Sequence, residues 1–176
     1  MNIDPRLGKL RYLLVSLAVL VLDQWTKWLV EVHLPGHVAQ PLIPGFLNLT
    51  HVRNTGVAFG LFASDGGNQS WLLTVLGLVA LLAVGLYFWL APSRDRGLMV
   101  ALALVVGGAV GNLIDRVSSG AVTDFIDVYV GNHHWPSFNV AASAISVGIV
   151  LMAIDSFRPR HHQEPQEAPA TATAAD

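Results

Sequence analysis

Long runs of apolar residues alternate with polar, turn-rich segments along the chain. A helix needs about 20 mainly apolar residues to cross the hydrocarbon core of a bilayer, and four of the runs approach that length. Basic residues precede the first run, as in a secretory signal peptide. No small-residue cleavage site follows it, so we expect this run to be retained as a helix. The predicted spans are residues 12–30, 71–90, 98–114 and 140–157.

The two long connections, residues 31–70 and 115–139, carry the pattern of short strands. Leu47 and Leu49 alternate with polar neighbours between two turn-rich segments, which is typical of a half-buried strand. β-branched and aromatic residues surround Asp124 in the second connection. We therefore expect a small β-sheet outside the membrane. The candidate strands are residues 46–52, 56–60 and 121–130.

The distribution of basic residues predicts the orientation. Positive charges favour the cytoplasmic side of a membrane, and most of them flank the first span, the short second link or the end of the fourth span. Both termini are therefore expected in the cytoplasm and both long connections outside. The tail, residues 158–176, is rich in Pro, Ala, Gln and Thr and is expected to be disordered. The basic residues on the predicted inner side are Arg6, Lys9, Arg11, Arg94, Arg96, Arg158 and Arg160.

Composition agrees with a membrane protein and excludes several classes of function. The chain is 53% hydrophobic and only 12% charged, which is too apolar for a soluble domain. Its net charge of -2 gives no basis for binding nucleic acid. There is no cysteine, hence no disulfide or thiolate chemistry. Zinc-peptidase, serine-hydrolase and phosphate-loop motifs are missing from the sequence, so we expect neither a metal nor a cofactor.

Asp23 and Lys27 are ionisable residues inside the first predicted span. Such groups are costly in a bilayer and usually face a partner or a cavity. Their spacing of four residues places them on the same helix face, with the acid N-terminal to the base. Two interpretations stay open at this point: a structural ion pair, or a part in positioning a substrate.

The third and fourth spans carry further polar residues at helical spacing. Gly108, Asn112 and Arg116 follow one another at intervals of four and share a face. The glycine is expected to serve close helix packing, and the two polar residues to contact a ligand near the outer end. Asn139 begins the fourth span, where it either caps the helix or binds substrate.

Asp124 and Asp127 lie three residues apart in a predicted strand. Because side chains alternate along a strand, the two carboxylates should face opposite sides of the sheet. They are therefore not expected to act as a pair.

Five short sequence motifs, in this order along the chain, resemble those of the lipoprotein signal peptidases. These are the membrane aspartyl peptidases also called signal peptidase II. The resemblance covers residues 6–157. The matching runs are Asp23-Gln24-Trp25-Thr26-Lys27, Asn54-Thr55-Gly56-Val57-Ala58-Phe59, Gly107-Gly108-Ala109-Val110-Gly111-Asn112-Leu113-Ile114-Asp115-Arg116, Val122-Thr123-Asp124-Phe125-Ile126-Asp127 and Phe138-Asn139-Val140-Ala141.

The resemblance implies a mainly α membrane protein of four transmembrane helices with a small extracytoplasmic β-sheet. Residues 1–157 would form the peptidase domain, in the bacterial inner membrane as a monomer among membrane lipids. The implied reaction removes the signal peptide of a prolipoprotein just before a cysteine that carries diacylglyceryl. Asp124 would be one catalytic aspartate. The implied substrate contacts are Asn54, Gly56, Asn112, Arg116 and Asn139, and the implied structural or channel residues are Asp23, Lys27 and Gly108.

Position 142 departs from the family, in which a second catalytic aspartate stands where this chain has Ala142. Aspartyl chemistry needs two carboxyl groups that share a proton, one to accept from water and one to donate to the carbonyl oxygen. Loss of one member of such a set costs on the order of 10⁴-fold in rate. The chain is therefore expected to be inactive. Ala142 is either an engineered substitution or natural, and Asp127 is a third, weaker option as a replacement partner.

Two other functions compete with a peptidase. A four-helix protein that binds signal peptides or lipoproteins without cutting them would also explain Ala142. A small transporter would explain polar residues within the spans, but no paired discontinuous helices support it.

Overall fold

Four helices and a four-stranded sheet make up the part of the chain that the computed structural model describes, which is residues 5–36, 38–56, 70–93 and 95–157. The predicted tail and most of the candidate strand at 56–60 lie outside the described residues. In chain order the elements are α1 (Pro5–His33), β1 (Gln40–Ile43), β2 (Leu47–Asn54), α2 (Ser70–Leu90), α3 (Arg96–Ser119), β3 (Val122–Val130), β4 (His133–His134) and α4 (Val140–Ser156).

The four predicted spans are confirmed as helices. By length and composition α1, α2 and α3 can each cross a membrane, whereas α4 is apolar but has only 17 residues. In the most apolar stretch of α3, 50% of the residues are buried inside the protein, whereas only 6% are buried in the corresponding stretch of α2. Helix α3 is therefore the central helix, and α1, α2 and α4 pack around it with their apolar outer faces exposed.

Close packing against α3 depends on glycine. An added Cβ at Gly107 would lie 2.6 Å from the carbonyl oxygen of Ser16 in α1, and one at Gly111 would lie 2.6 Å from the Asp23 carboxylate. On the α4 side, a Cβ at Gly108 would clash with the carbonyl of Ala141. The packing role predicted for Gly108 is therefore confirmed, and Gly107 and Gly111 allow close approach in the same way, because no side chain intervenes between the helices.

The antiparallel sheet has the order β1-β2-β3-β4 and lies over the ends of the helices. The predicted strands 46–52 and 121–130 are confirmed as β2 and β3. An apolar cluster of Val30, Leu34 and Phe125 attaches the sheet to α1. Two short strands, β1 and β4, pair with the edges of β2 and β3, and the sequence pattern did not predict them.

Candidate active site

A cavity of about 290 Å³ opens where the C-terminal end of α3 and the N-terminal end of α4 meet β2 and β3. It brings together the predicted catalytic position, the predicted substrate contacts and the alanine at position 142. The residues that line it are Asn54, Gly56, Leu73, Asn112, Arg116, Val122, Asp124, Ser137, Phe138, Asn139 and Ala142.

Asp124 lies in the wall of this cavity and is only 4% exposed. Asn54 Nδ2 donates to one carboxylate oxygen at 2.9 Å, and Asn139 Nδ2 donates to the other at 2.7 Å. Burial raises the pKa of Asp124 above its usual value of 3.8, although the two amide donors and the positive charges of Lys27 and Arg116 oppose the rise. Because its pKa is raised, this carboxyl group keeps its proton to a higher pH than an exposed aspartate does.

Asn139 connects Asp124 to the start of α4. Its Oδ1 accepts a hydrogen bond from the backbone N–H of Ala142 at 2.7 Å, so the predicted helix cap is confirmed. Its Nδ2 donates to Asp124 and also lies 3.2 Å from Asn112 Oδ1. The side chain is fully buried, and it ties position 142 to the carboxylate across the cavity wall.

Behind the cavity, Lys27 is the centre of a buried ionic cluster. Its Nζ lies 2.7 Å from Asp23 Oδ2, so the two residues share a helix face, as the spacing predicted, and form an ion pair. It lies equally close, 2.7 Å, to Asp115 Oδ2 on α3 and donates to Asn112 Oδ1 at 3.1 Å. The lysine thus links the acidic cluster to an amide that lines the cavity.

Asp115 is a site residue to which sequence reasoning gave no role. Gln24 Nε2 donates to its Oδ1 at 2.9 Å, and the N–H of Thr123 donates to its Oδ2 at 3.4 Å. A signal was present, since Asp115 lies three residues from Asn112 on the same helix and next to Arg116. Which acid meets Lys27 depends on how α1 and α3 are placed against each other, and the sequence pattern does not give that placement.

Arg116 lines the cavity and is partly buried. Its Nη1 donates to the carbonyl of Asn112 one turn earlier, at 3.4 Å. Its positive charge lies close enough to Asp124 to oppose the rise in the pKa of that carboxyl group.

Asp127 lies on the opposite face of β3, as the strand spacing predicted. Asn48 Nδ2 donates to it at 2.9 Å, and His134 Nδ1 lies 2.8 Å from it. Burial favours its neutral form, but these two partners outweigh burial and hold the pKa of Asp127 below 3.8. With its oxygens occupied on the far side of the sheet, Asp127 has no access to Asp124.

A second, mainly apolar cavity of about 410 Å³ lies between α2, α3 and α4. It shares Asn112 and Arg116 with the polar cavity, so the two spaces meet at these residues. Among the residues that the structure describes, no group of three or more His, Asp or Glu side chains could hold a metal ion.

Comparison with known proteins gives a consistent result. Residues 15–158 match the family model for signal peptidase (SPase) II. Curated lipoprotein signal peptidases include one from Acinetobacter baumannii, 49% identical over 81% of each chain. Another, from Desulforapulum autotrophicum, is 50% identical over 80% of this chain and 88% of its own.

The fold is also similar to solved structures. One, described as a bacterial membrane enzyme determined by the in meso method at 2.3 Å resolution, is 32% identical with a TM-score of 0.70. The similarity covers 88% of this chain and 94% of that one.

Proposed function

From the premise that the chain belongs to the signal peptidase II family, we propose that its cavity around Asp124 is the active site of an aspartyl peptidase. The observation that carries the proposal is a buried carboxylate, held by two amide donors, in a cavity that also contains the first turn of α4. Aspartyl chemistry needs this arrangement, with a second carboxyl group across the cavity.

The proposed substrate is a prolipoprotein whose cysteine carries diacylglyceryl. The apolar cavity between α2, α3 and α4 suits a signal segment or an acyl chain, and it meets the polar cavity at Asn112 and Arg116. A peptide held in the apolar cavity would pass Asp124 where the two cavities join. Arg116 and the amides of Asn54 and Asn112 would orient the peptide carbonyl groups.

In the proposed reaction, an ionised carboxylate removes a proton from the attacking water. A protonated carboxyl group donates to the carbonyl oxygen of the scissile bond while the water oxygen bonds to the carbonyl carbon, which gives a tetrahedral intermediate. The carboxyl group that took the water proton then gives it to the amide nitrogen, the C–N bond breaks, and the other carboxylate takes back a hydroxyl proton as the carbonyl group forms again. Asp124 supplies one of the two groups, and its raised pKa suits proton exchange. Ala142 has no carboxyl group for the other role, so this chain is an inactive form, lower in rate by about 10⁴-fold.

The proposed setting is a single peptidase domain, residues 1–157, with both termini in the cytoplasm. The described groups of the site come from one chain, which suits a monomer. The sheet and the site lie at one end of the helices. In the sequence, seven of the ten Lys and Arg residues lie near the start of α1, around the link between α2 and α3, or after α4, which is the other end. The site would then face the outer leaflet, where the diacylglyceryl group holds the cysteine.

The test is cleavage of a diacylglyceryl prolipoprotein in detergent micelles by the native chain, by Ala142→Asp and by Ala142→Asn. The asparagine variant is the control, because its side chain has nearly the shape of aspartate but cannot ionise. We expect cleavage by Ala142→Asp alone. Equal cleavage by the native chain would refute the assignment of position 142. If all three bind substrate and none cleaves it, the chain is a non-catalytic lipoprotein-binding protein instead.

A further inference from the structure

Next to each position of the proposed dyad, Ala142 and Asp124, a backbone N–H donates a hydrogen bond to a buried acid. The backbone N–H of Ala141, directly before Ala142, donates to Asp23 Oδ1 at 2.8 Å. Asp23 is completely buried in α1, and the contact joins α1 to the first turn of α4. The position of this carboxylate therefore fixes where residue 142 stands.

The same arrangement recurs on the other side of the cavity. The backbone N–H of Thr123, directly before Asp124, donates to Asp115 Oδ2 at 3.4 Å. Asp115 is 8% exposed and belongs to α3, so this contact joins α3 to the start of β3. The residue directly before each dyad position therefore donates its backbone N–H to a carboxylate of the ionic cluster, either Asp23 or Asp115.

One lysine joins these two acids. Lys27 Nζ lies 2.7 Å from Asp23 Oδ2 and 2.7 Å from Asp115 Oδ2. The lysine is 3% exposed, so water does not screen the attraction. Without it, two buried carboxylates would face each other across a short gap and repel.

We propose that Lys27 is a positioning residue that sets the separation between Asp124 and position 142. It draws Asp23 and Asp115 together, and each acid carries with it the backbone of one dyad position. This inference rests on the proposed function for its catalytic meaning, but the geometric linkage is testable without activity. It differs from a general stabilising ion pair, because the lysine must act on both amides at once.

The deciding experiment is amide NMR of the native chain in micelles, comparing Lys27→Met with Lys9→Met. Lys9 is a matched control: it is also buried in α1, but it donates to carbonyls of Phe88 and Trp89 at the end of α2. We expect the amide proton resonances of Ala141 and Thr123 to move together in Lys27→Met and to stay in place in Lys9→Met. Movement of one amide or of neither overturns the proposal.

A second variant protects the test against misfolding. Lys27→Arg keeps the charge but carries a larger head group, so it should spread the two carboxylates without leaving them unpaired. Both resonances should again move, by less than in Lys27→Met. If Lys27→Met does not fold, the response of these two amides in Lys27→Arg decides the matter by the same criterion.

Kinetics in the Ala142→Asp background give the catalytic readout. A misplacement of about 1 Å costs on the order of 100-fold in rate, so Lys27→Met should lower kcat by that factor with KM nearly unchanged. A changed separation should also alter the two apparent pKa values of the pH profile. Lys9→Met should leave the profile unchanged, and an unchanged profile in Lys27→Met overturns the proposal. If Ala142→Asp does not cleave, the proposed function fails while the NMR result still decides the linkage.

Discussion

Replacing Gly108 with alanine should displace the first turn of α4, which carries position 142. The added methyl group would clash with the carbonyl oxygen of Ala141 and would lie 2.9 Å from Cγ1 of Ile145. The isoleucine end can rotate away, but the carbonyl is backbone. Because ordinary contact begins at 3.4 Å, the first turn of α4 must move away, and a displacement on the order of 1 Å is enough to affect the rate strongly.

The magnitude follows from two opposing terms. Alanine in a helix is favoured over glycine by up to about 1 kcal/mol. Overpacking a close contact costs roughly 1–3 kcal/mol. The net loss in the free energy of unfolding is therefore about 0–2 kcal/mol. In the Ala142→Asp background, the shift of the first turn should lower kcat by on the order of 100-fold.

Thermal unfolding in detergent and cleavage of a diacylglyceryl prolipoprotein measure the two effects. Gly85→Ala is the control, because Gly85 lies in α2 and a Cβ there would meet nothing within 4 Å. That control should be neutral or slightly stabilising and fully active. If Gly108→Ala matched Gly85→Ala in both Tm and kcat, the argument from close packing would be wrong.

Four further predictions concern charge and capping. Burial raises the pKa of Asp124, so ionisation of this carboxyl group opposes folding. The Tm of the native chain, relative to that of Asp124→Asn, should therefore fall as the pH rises from 3.8 through the pKa of Asp124 in the folded protein. Asp127 has a lowered pKa, so the Tm advantage over Asp127→Asn should be complete above pH 3.8 and should vanish as pH falls through the folded pKa. Asn139→Ala removes a cap and a donor to a buried carboxylate, and chemical denaturation should show a loss of about 2–3 kcal/mol. Ala142→Asp adds a carboxyl group beside Asp124, so its Tm should lie below that of the native chain by a margin that widens with pH; a constant margin would contradict this.

The helices and the central strands follow from the sequence because each carries a strong local pattern. Residues 71–90 are almost entirely apolar, as a helix exposed to lipid requires. The alternation around Leu49 marks β2, which packs one face on the apolar cluster at the end of α1. Asn112 and Arg116 were predicted to contact a ligand because polar groups are out of place in an apolar helix. The site roles of Asp124, Asn54 and Gly56 were expected only from the family resemblance.

The remaining features depend on tertiary contacts that no local pattern records. Strand β1 is exposed along its whole length and contains Pro41, so neither alternation nor propensity indicated it. Strand β4 has two residues and exists only by pairing with the end of β3. The role of Asp115 arises because α3 places its carboxylate beside Lys27 of α1. Asp115 also accepts a hydrogen bond from Gln24, which is 91 residues away along the chain.

The balance of formal charge around the site explains how the fold tolerates alanine at position 142. Within the described residues, Lys27 and Arg116 stand against three carboxylates, those of Asp23, Asp115 and Asp124. This cluster already carries an excess of negative charge, so a further carboxylate would be accommodated only by taking up a proton. On the proposed mechanism, that proton is the one which the dyad shares. Alanine removes both the carboxyl group and the need for the proton, while the N–H of residue 142 keeps its bond to Asn139. The supporting network can therefore remain intact in a chain that lacks the second acid.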